Sequence, residues 1–168
     1  YKLVYRGSVE QFVTEANELE VALCQNCFTD FKYSSYIAGH LALIYALLGA
    51  PDSVIQFYLA IACNNVLNGE GYFFLVDLTE LFRIQDRLKD ATDCYERFCL
   101  IYFERKGTNA NLTERKDIVD YLRCYFPESE TRIKKELGFD FTEGIERTYN
   151  KYCFPPNNFE IDLQPNDS

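Results

Sequence analysis

The chain repeats its apolar pattern at an interval of 37 residues. When the sequence is laid on itself at this offset, apolar residues match apolar residues from Ile37 to Phe103. The matched pairs are Leu41 with Leu78, Ile44 with Leu81, Tyr45 with Phe82, Leu47 with Ile84, Tyr58 with Tyr95 and Ile61 with Phe98. Each copy holds two apolar runs of helical period separated by a turn. We therefore predict one helix hairpin per copy, which buries its apolar face against a neighbouring hairpin.

Length and charge narrow the class of protein. A chain of 168 residues with 48% hydrophobic and 26% charged residues can build one continuous core, so the disordered class is excluded. Its longest apolar run, 38–50, contains His40 and is shorter than the about 18 residues of a membrane span, so no membrane partner is expected. The net charge of −9 disfavours nucleic acid and favours a neutral or basic protein or peptide partner.

Seven cysteines predict reduced thiols rather than a disulfide framework, because their number is odd and most lie in apolar helical patterns. They are Cys24, Cys27, Cys63, Cys94, Cys99, Cys124 and Cys153, of which only Cys153 lies outside such a pattern. Reduced thiols predict an intracellular location, in the cytoplasm or nucleus. Cys24 and Cys27 have zinc-ligand spacing, but no second pair completes a site, so we expect core packing and neither a metal nor a cofactor.

Capping and turn signals predict an all-α fold with about seven or eight helices. Ser8 and Gln11 form a capping-box pattern ahead of the first helix, and Asn111 with Glu114 forms another. The predicted helices are Val9 to Cys27, Ser34 or Ser35 to Leu48, Asp52 to about Val66, Tyr72 to about Gln85, Arg87 to about Phe103, Asn111 to about Tyr125, Ser129 to Leu137 and Thr142 to about Cys153.

These helices form a single predicted helical-repeat domain, 1–156, with clear repeats at 37–66 and 74–103. An acidic tail, 157–168, is expected to be extended because Phe159, Ile161 and Leu163 alternate with acids. No strand pair is predicted. The first helix or the tail should cap the repeat array or mediate self-association, since the terminal apolar faces of such arrays need cover.

Within each copy the residues resemble the tetratricopeptide repeat. In the second copy Leu78, Phe82, Ala91 and Tyr95 occupy the family's large, small and aromatic positions. The first copy matches at Leu41, Ala42, Tyr45, Gly49 and Tyr58. The departures are a period of 37 instead of about 34 residues, Val54 and Thr79 at small positions, and oversized Ile61 and Phe98. The match covers 67 of 168 residues.

This resemblance implies antiparallel hairpins stacked as an α-solenoid, and a non-enzymatic scaffold or adaptor within a larger complex. Such a protein would bind a peptide or subunit on the concave face formed by the first helix of each hairpin. By position, that face includes Tyr36, His40, Leu43, Phe73, Asp77, Glu80 and Arg83. The carboxylate clamp of the family's chaperone-binding members is not implied, because Gly39 and Leu43 stand where Lys and Asn would.

Two further observations bear on function. His40 is the only histidine and has no nucleophile near it in sequence, so we predict no catalytic residues. Tyr36, Phe73 and Phe74 lie where a first helix meets the groove, and aromatic residues are frequent binding hot spots. The alternative function is that of a regulatory or assembly domain of a larger enzyme with its catalytic part elsewhere.

Overall fold

The computed structural model describes residues 2–26, 29–64, 69–146 and 158–164. Within them the chain forms seven α-helices: α1 Val9–Asn26, α2 Phe31–Leu47, α3 Asp52–Ala62, α4 Phe74–Ile84, α5 Leu88–Lys106, α6 Leu112–Tyr125 and α7 Ser129–Leu137. Two short 3-10 turns cover Gly71–Phe73 and Gly107–Asn109, and two strands are β1 Lys2–Ser8 and β2 Asn158–Gln164. The predicted all-helical class is thus confirmed for the body of the fold. None of the described helices combines the length and the apolar character that a membrane crossing requires.

The predicted capping residues begin their helices. The Ser8 amide donates to Gln11 Oε1 at 2.9 Å and the Gln11 amide donates to Ser8 Oγ at 3.1 Å, which completes the capping box of α1. Asn111 Oδ1 accepts from the amides of Thr113 and Glu114 at the start of α6. These short-range signals therefore located two helix starts correctly.

Helix α2 begins earlier than predicted. Its first residue is Phe31 rather than Ser34 or Ser35, because Asp30 Oδ1 accepts a hydrogen bond from the Tyr33 amide at 2.9 Å and caps the helix there. Just past its other end, Gly49 has a left-handed backbone, with φ of +74°, which is typical of the residue that follows a helix. The turn to α3 is accordingly short.

The predicted last helix, Thr142 to Cys153, is wrong over its described part. Residues 141–144 form turns and 145–146 are irregular. Asp140 Oδ1 accepts from both the amide and the hydroxyl of Thr142, at 2.9 and 2.7 Å, and this local bonding favours a turn. Residues 147–153 of that prediction lie outside the described residues, as do 65 and 66 at the predicted end of α3.

Two of the six repeat-related pairs have the same burial. Leu41 and Leu78 are fully buried, and Ile44 and Leu81 are equally inaccessible. The other pairs differ. Tyr45, Tyr58 and Ile61 are partly buried where Phe82, Tyr95 and Phe98 are buried, and Leu47 is buried while Ile84 is 56% exposed. Helix α2 packs on α3, α4 packs on α5, and α2 also contacts α4.

Two glycines allow α2 and the start of α4 to approach closely. A Cβ atom on Gly39 would lie 2.4 Å from the carbonyl oxygen of Gly71 and 2.6 Å from Phe74 Cδ2. A Cβ atom on Gly71 would lie 1.9 Å from the carbonyl oxygen of Ser35. The Ser35 hydroxyl fixes the approach, because it donates to Ala62 O at 2.8 Å and accepts from the Gly71 amide at 3.1 Å.

The expectation that no strands pair is wrong. β1 and β2 pair in parallel, with Lys2 opposite Asn158 and Ser8 opposite Gln164. Parallel strands require a long crossover connection, and here the helical body provides it. The tail is extended as predicted across 158–164, and β2 lies against α4 while β1 contacts α1.

The buried stripe of α1 is narrow. Phe12, Ala16 and Leu23 are buried, but Val9 and Val13 are exposed. Cys24 is also exposed, because it follows Leu23 by one residue and lies about 100° further round the helix. Its predicted core packing is therefore wrong.

The prediction of reduced thiols is confirmed for only part of the set. Cys63, Cys94 and Cys99 are buried thiols, whereas Cys124 is disulfide-bonded. The sequence pattern around Cys124 is that of an ordinary helix face, so nothing local distinguished it. Its partner is none of the described cysteines. Cys27 and Cys153 lie outside the described residues.

Candidate functional site

A cavity of about 390 Å³ opens between β1, α2 and the start of α4. We call it the α2–α4 pocket. It is lined by Tyr5, Tyr36, His40, Glu70, Phe73, Phe74 and Asp77. Four of these residues, Tyr36, His40, Phe73 and Asp77, are among the seven predicted for the binding face.

Helical spacing explains why these four side chains converge. Tyr36 and His40 are four residues apart on α2, so they lie on one face, and Phe73 and Asp77 have the same spacing at the start of α4. Gly39 lies between the two α2 residues and lets the helices meet closely. Gly39 thus brings the walls of the pocket together.

Aromatic rings form much of the wall. His40 stacks on Phe74 with ring centroids 5.4 Å apart, and Tyr36 contacts Phe74 edge-on at 5.3 Å. The ring of Phe73 packs against that of Phe98, with centroids 5.6 Å apart. Tyr36 is 50% exposed and Phe73 is 39% exposed, so both rings present free surface at the mouth.

Besides the hydroxyls of Tyr5 and Tyr36, the polar side chains of the described pocket lining are two carboxylates and a histidine. Burial raises the pKa of Asp77 to about 7, opposed by a hydrogen bond from Tyr5 and assisted by the negative charge of Glu80. Burial lowers the pKa of His40, and the nearby Glu15 carboxylate opposes this shift. The His40 Nε2 atom lies 3.4 Å from Glu15 Oε1. His40 is therefore largely neutral at pH 7, and none of the described residues that line the pocket is a lysine or arginine.

Two predicted binding residues lie outside the pocket and are paired within the protein. Glu80 is only 3% exposed, accepts a hydrogen bond from the Tyr121 hydroxyl and pairs with Arg83 at 3.2 Å. The Arg83 guanidinium carbon lies 3.8 Å from the ring centroid of Tyr125. The prediction of an open binding face is wrong for Glu80, since this cluster joins α4 to α6.

Leu43 is also wrongly predicted as a surface residue. It is fully buried in the core, because its position on α2 faces the neighbouring helices rather than the groove. The predicted continuous face therefore divides into three parts in the structure: the pocket, the α4–α6 link and the core.

Sequence reasoning missed two lining residues. Tyr5 reaches the pocket from β1, and Glu70 belongs to the loop before α4. Tyr5 carries no local signal, since a strand at the amino end can be placed only once its partner is known. Glu70 lies between the predicted end of one helix near Val66 and the predicted start of the next at Tyr72, where the sequence indicated only a break between helices.

The other candidate chemistry of the sequence was metal binding at Cys24 and Cys27. In the described ranges, no group of three or more His, Cys, Asp and Glu side chains is arranged to hold a metal ion. Cys24 is exposed on α1, and Cys27 lies outside these ranges. Comparison of the chain with protein-family models, curated proteins and solved structures gives no match. Its function must therefore be inferred from its own geometry.

Proposed function

We propose that this chain is a non-enzymatic protein–protein interaction module. It acts as a scaffold or adaptor of the tetratricopeptide type within a larger complex and binds a peptide or subunit at the α2–α4 pocket. The observation that carries the proposal is the convergence of Tyr36, His40, Phe73 and Asp77, four predicted groove residues, on one cavity.

The repeat supports the proposed architecture, in which antiparallel hairpins stack as an α-solenoid. The contacts of α2 with α3, of α4 with α5 and of α2 with α4 are those that such a stack requires. The matched burial of Leu41 and Leu78 is in keeping with equivalent roles in successive hairpins.

The chemistry of the pocket favours recognition over catalysis. Among the residues that the structure describes, the pocket lining includes no serine, threonine or cysteine that His40 could activate as a nucleophile. Half-exposed Tyr36 and Phe73 are residues of the type that dominates binding energy at protein interfaces. The disulfide at Cys124 is more typical of an oxidising compartment than of the cytoplasm or nucleus. We therefore do not include an intracellular location in the proposal.

Affinity capture from the native cell extract tests this proposal. The wild-type chain and a Phe57→Ala control should retain the same stoichiometric protein, because Phe57 is an exposed ring on α3, outside the pocket. The double variant Tyr36→Ala/Phe73→Ala should lose it while keeping its circular dichroism spectrum. Equal capture by all three chains would show that binding does not use this pocket.

A further inference from the structure

The α2–α4 pocket combines aromatic surface with negative charge. Tyr5, Tyr36, Phe73 and Phe74 contribute four rings, of which Tyr36 and Phe73 are well exposed. The faces of such rings attract cations through their quadrupole. An apolar ligand would use the same surface, so the charges decide between the two classes of ligand.

Although Arg105 donates to the Gly69 carbonyl oxygen, next to Glu70 in the chain, both charged side chains among the described lining residues of the pocket are acidic. Asp77 and Glu70 line it, and Glu15 lies behind His40. The groups that shift the pKa of Asp77 are Tyr5 and Glu80, neither of which is a cation. A cationic ligand would favour the ionised form of Asp77 and compensate its charge, whereas an anionic ligand would be repelled by it.

We propose that the α2–α4 pocket binds an alkylammonium group, presented as a lysine side chain by a basic segment of the partner protein. The aromatic rings contact the ammonium and its methylene stem, and Asp77 and Glu70 supply the opposite charge. This inference rests on the proposed function, since it names the chemistry by which the same pocket would recognise its partner.

The geometry favours lysine over arginine. A guanidinium group binds best through two parallel hydrogen bonds to one carboxylate, whereas an ammonium is a compact charge that needs only one acceptor. The hydrogen bond from Tyr5 already uses part of the acceptor capacity of Asp77. The volume of about 390 Å³ is near the lower end of the about 300–1,000 Å³ typical of ligand clefts, which suits one long side chain.

The single histidine provides a direct test. Its Hε1 signal is unique in the proton spectrum, and the ring lies in the pocket wall. The probes are acetyl-Gly-X-Gly-amide peptides in which X is lysine, trimethyllysine, arginine or norleucine. The lysine peptide should shift this signal saturably, with a dissociation constant at least tenfold below that of norleucine. Trimethyllysine distinguishes a methylated from an unmodified lysine as the preferred form.

Matched variants assign the effect to the pocket. Asp77→Asn should weaken lysine binding at least fivefold, whereas Asp93→Asn, an exposed acid on α5, should not change it. Phe73→Ala should also weaken it, and Phe57→Ala should not. Equal affinity for lysine and norleucine, tighter binding of arginine, or no saturable shift at all would overturn the inference.

The two proposals can fail separately. If the extract protein is lost on changing Tyr36 and Phe73 but lysine binds no better than norleucine, the interaction function stands and the ammonium inference falls. If the lysine peptide binds selectively but no protein is captured, the ammonium site stands and the function as an interaction module is contradicted.

Discussion

The imidazole of His40 lies almost flat on the ring of Phe74, with centroids 5.4 Å apart and planes inclined by 9°. This stack joins α2 to the start of α4 at the pocket. It also covers one face of the imidazole, and such burial penalises the charged form. The packing that builds the pocket therefore also determines the protonation of its only histidine.

We predict that His40 titrates below 6.5. Replacing Glu15 by Gln should lower the pKa further, because the Glu15 carboxylate partly stabilises the imidazolium. Since the folded pKa lies below the unfolded value, the contribution of His40 to stability is complete above pH 6.5 and declines as the pH falls. Proton NMR of the Hε1 signal measures the midpoint. A midpoint at or above pH 6.5 would contradict the burial of His40, and a higher His40 pKa in Glu15→Gln than in the wild type would contradict its contact with Glu15.

Asp77→Asn should stabilise the protein at neutral and alkaline pH. The pKa of Asp77 is raised from 3.8 to about 7, so its ionisation opposes folding as the pH rises through this window. The variant should match the wild type near pH 4 and exceed its free energy of unfolding by about 2–4 kcal/mol at pH 8. Urea unfolding at several pH values measures the difference, with Asp93→Asn as control. If the free energy of unfolding of Asp77→Asn and of the wild type depended on pH in the same way, the burial of this carboxylate would be refuted.

Gly39→Ala should destabilise the fold although it improves helix propensity. Alanine in a helix interior is favoured over glycine by about 1 kcal/mol. Here the added methyl would lie 2.4 Å from the Gly71 carbonyl oxygen, which belongs to the backbone and cannot rotate away. We expect a net loss of about 1–3 kcal/mol in the free energy of unfolding. Chemical denaturation measures the change, and its sign is decisive, because a Gly39→Ala variant more stable than the wild type would show that α2 and α4 do not meet closely.

Tyr121→Phe tests the link between α4 and α6. The Tyr121 hydroxyl donates to the buried Glu80 carboxylate, so its removal should cost about 1–3 kcal/mol. Tyr33→Phe is the control, because Tyr33 is an exposed tyrosine on α2. Chemical denaturation of both variants measures the effect. If Tyr121→Phe were as stable as Tyr33→Phe, the buried hydrogen bond to Glu80 would be contradicted, and Glu80 would lie in solvent as expected from the sequence.

Short-range signals were the most informative part of the sequence. The capping residues Ser8 and Asn111 and the left-handed Gly49 located helix ends, since these residues act on backbone groups a few positions away. The spacing of Tyr36 with His40 and of Phe73 with Asp77 located four of the seven described lining residues of the pocket. Period alone could assign these residues to a face of their helices.

Long-range packing was not readable from the sequence. The pairing of β1 with β2, the entry of Tyr5 into the pocket and the covering of Glu80 by α6 each join distant segments. Glu80 reads as a solvated acid on α4 until Tyr121 and Arg83 are known to surround it. The sequence pattern gave no reason to prefer one neighbour over another for these residues.

The most direct test of the account is photocrosslinking in the native extract, with p-benzoylphenylalanine in place of Tyr36 at the mouth of the pocket or in place of Phe57 on α3. The account predicts one crosslinked protein from position 36, suppressed by excess lysine peptide, and none from position 57. Crosslinking at position 57 with none at position 36, or equal products at both, would contradict a binding site in the α2–α4 pocket.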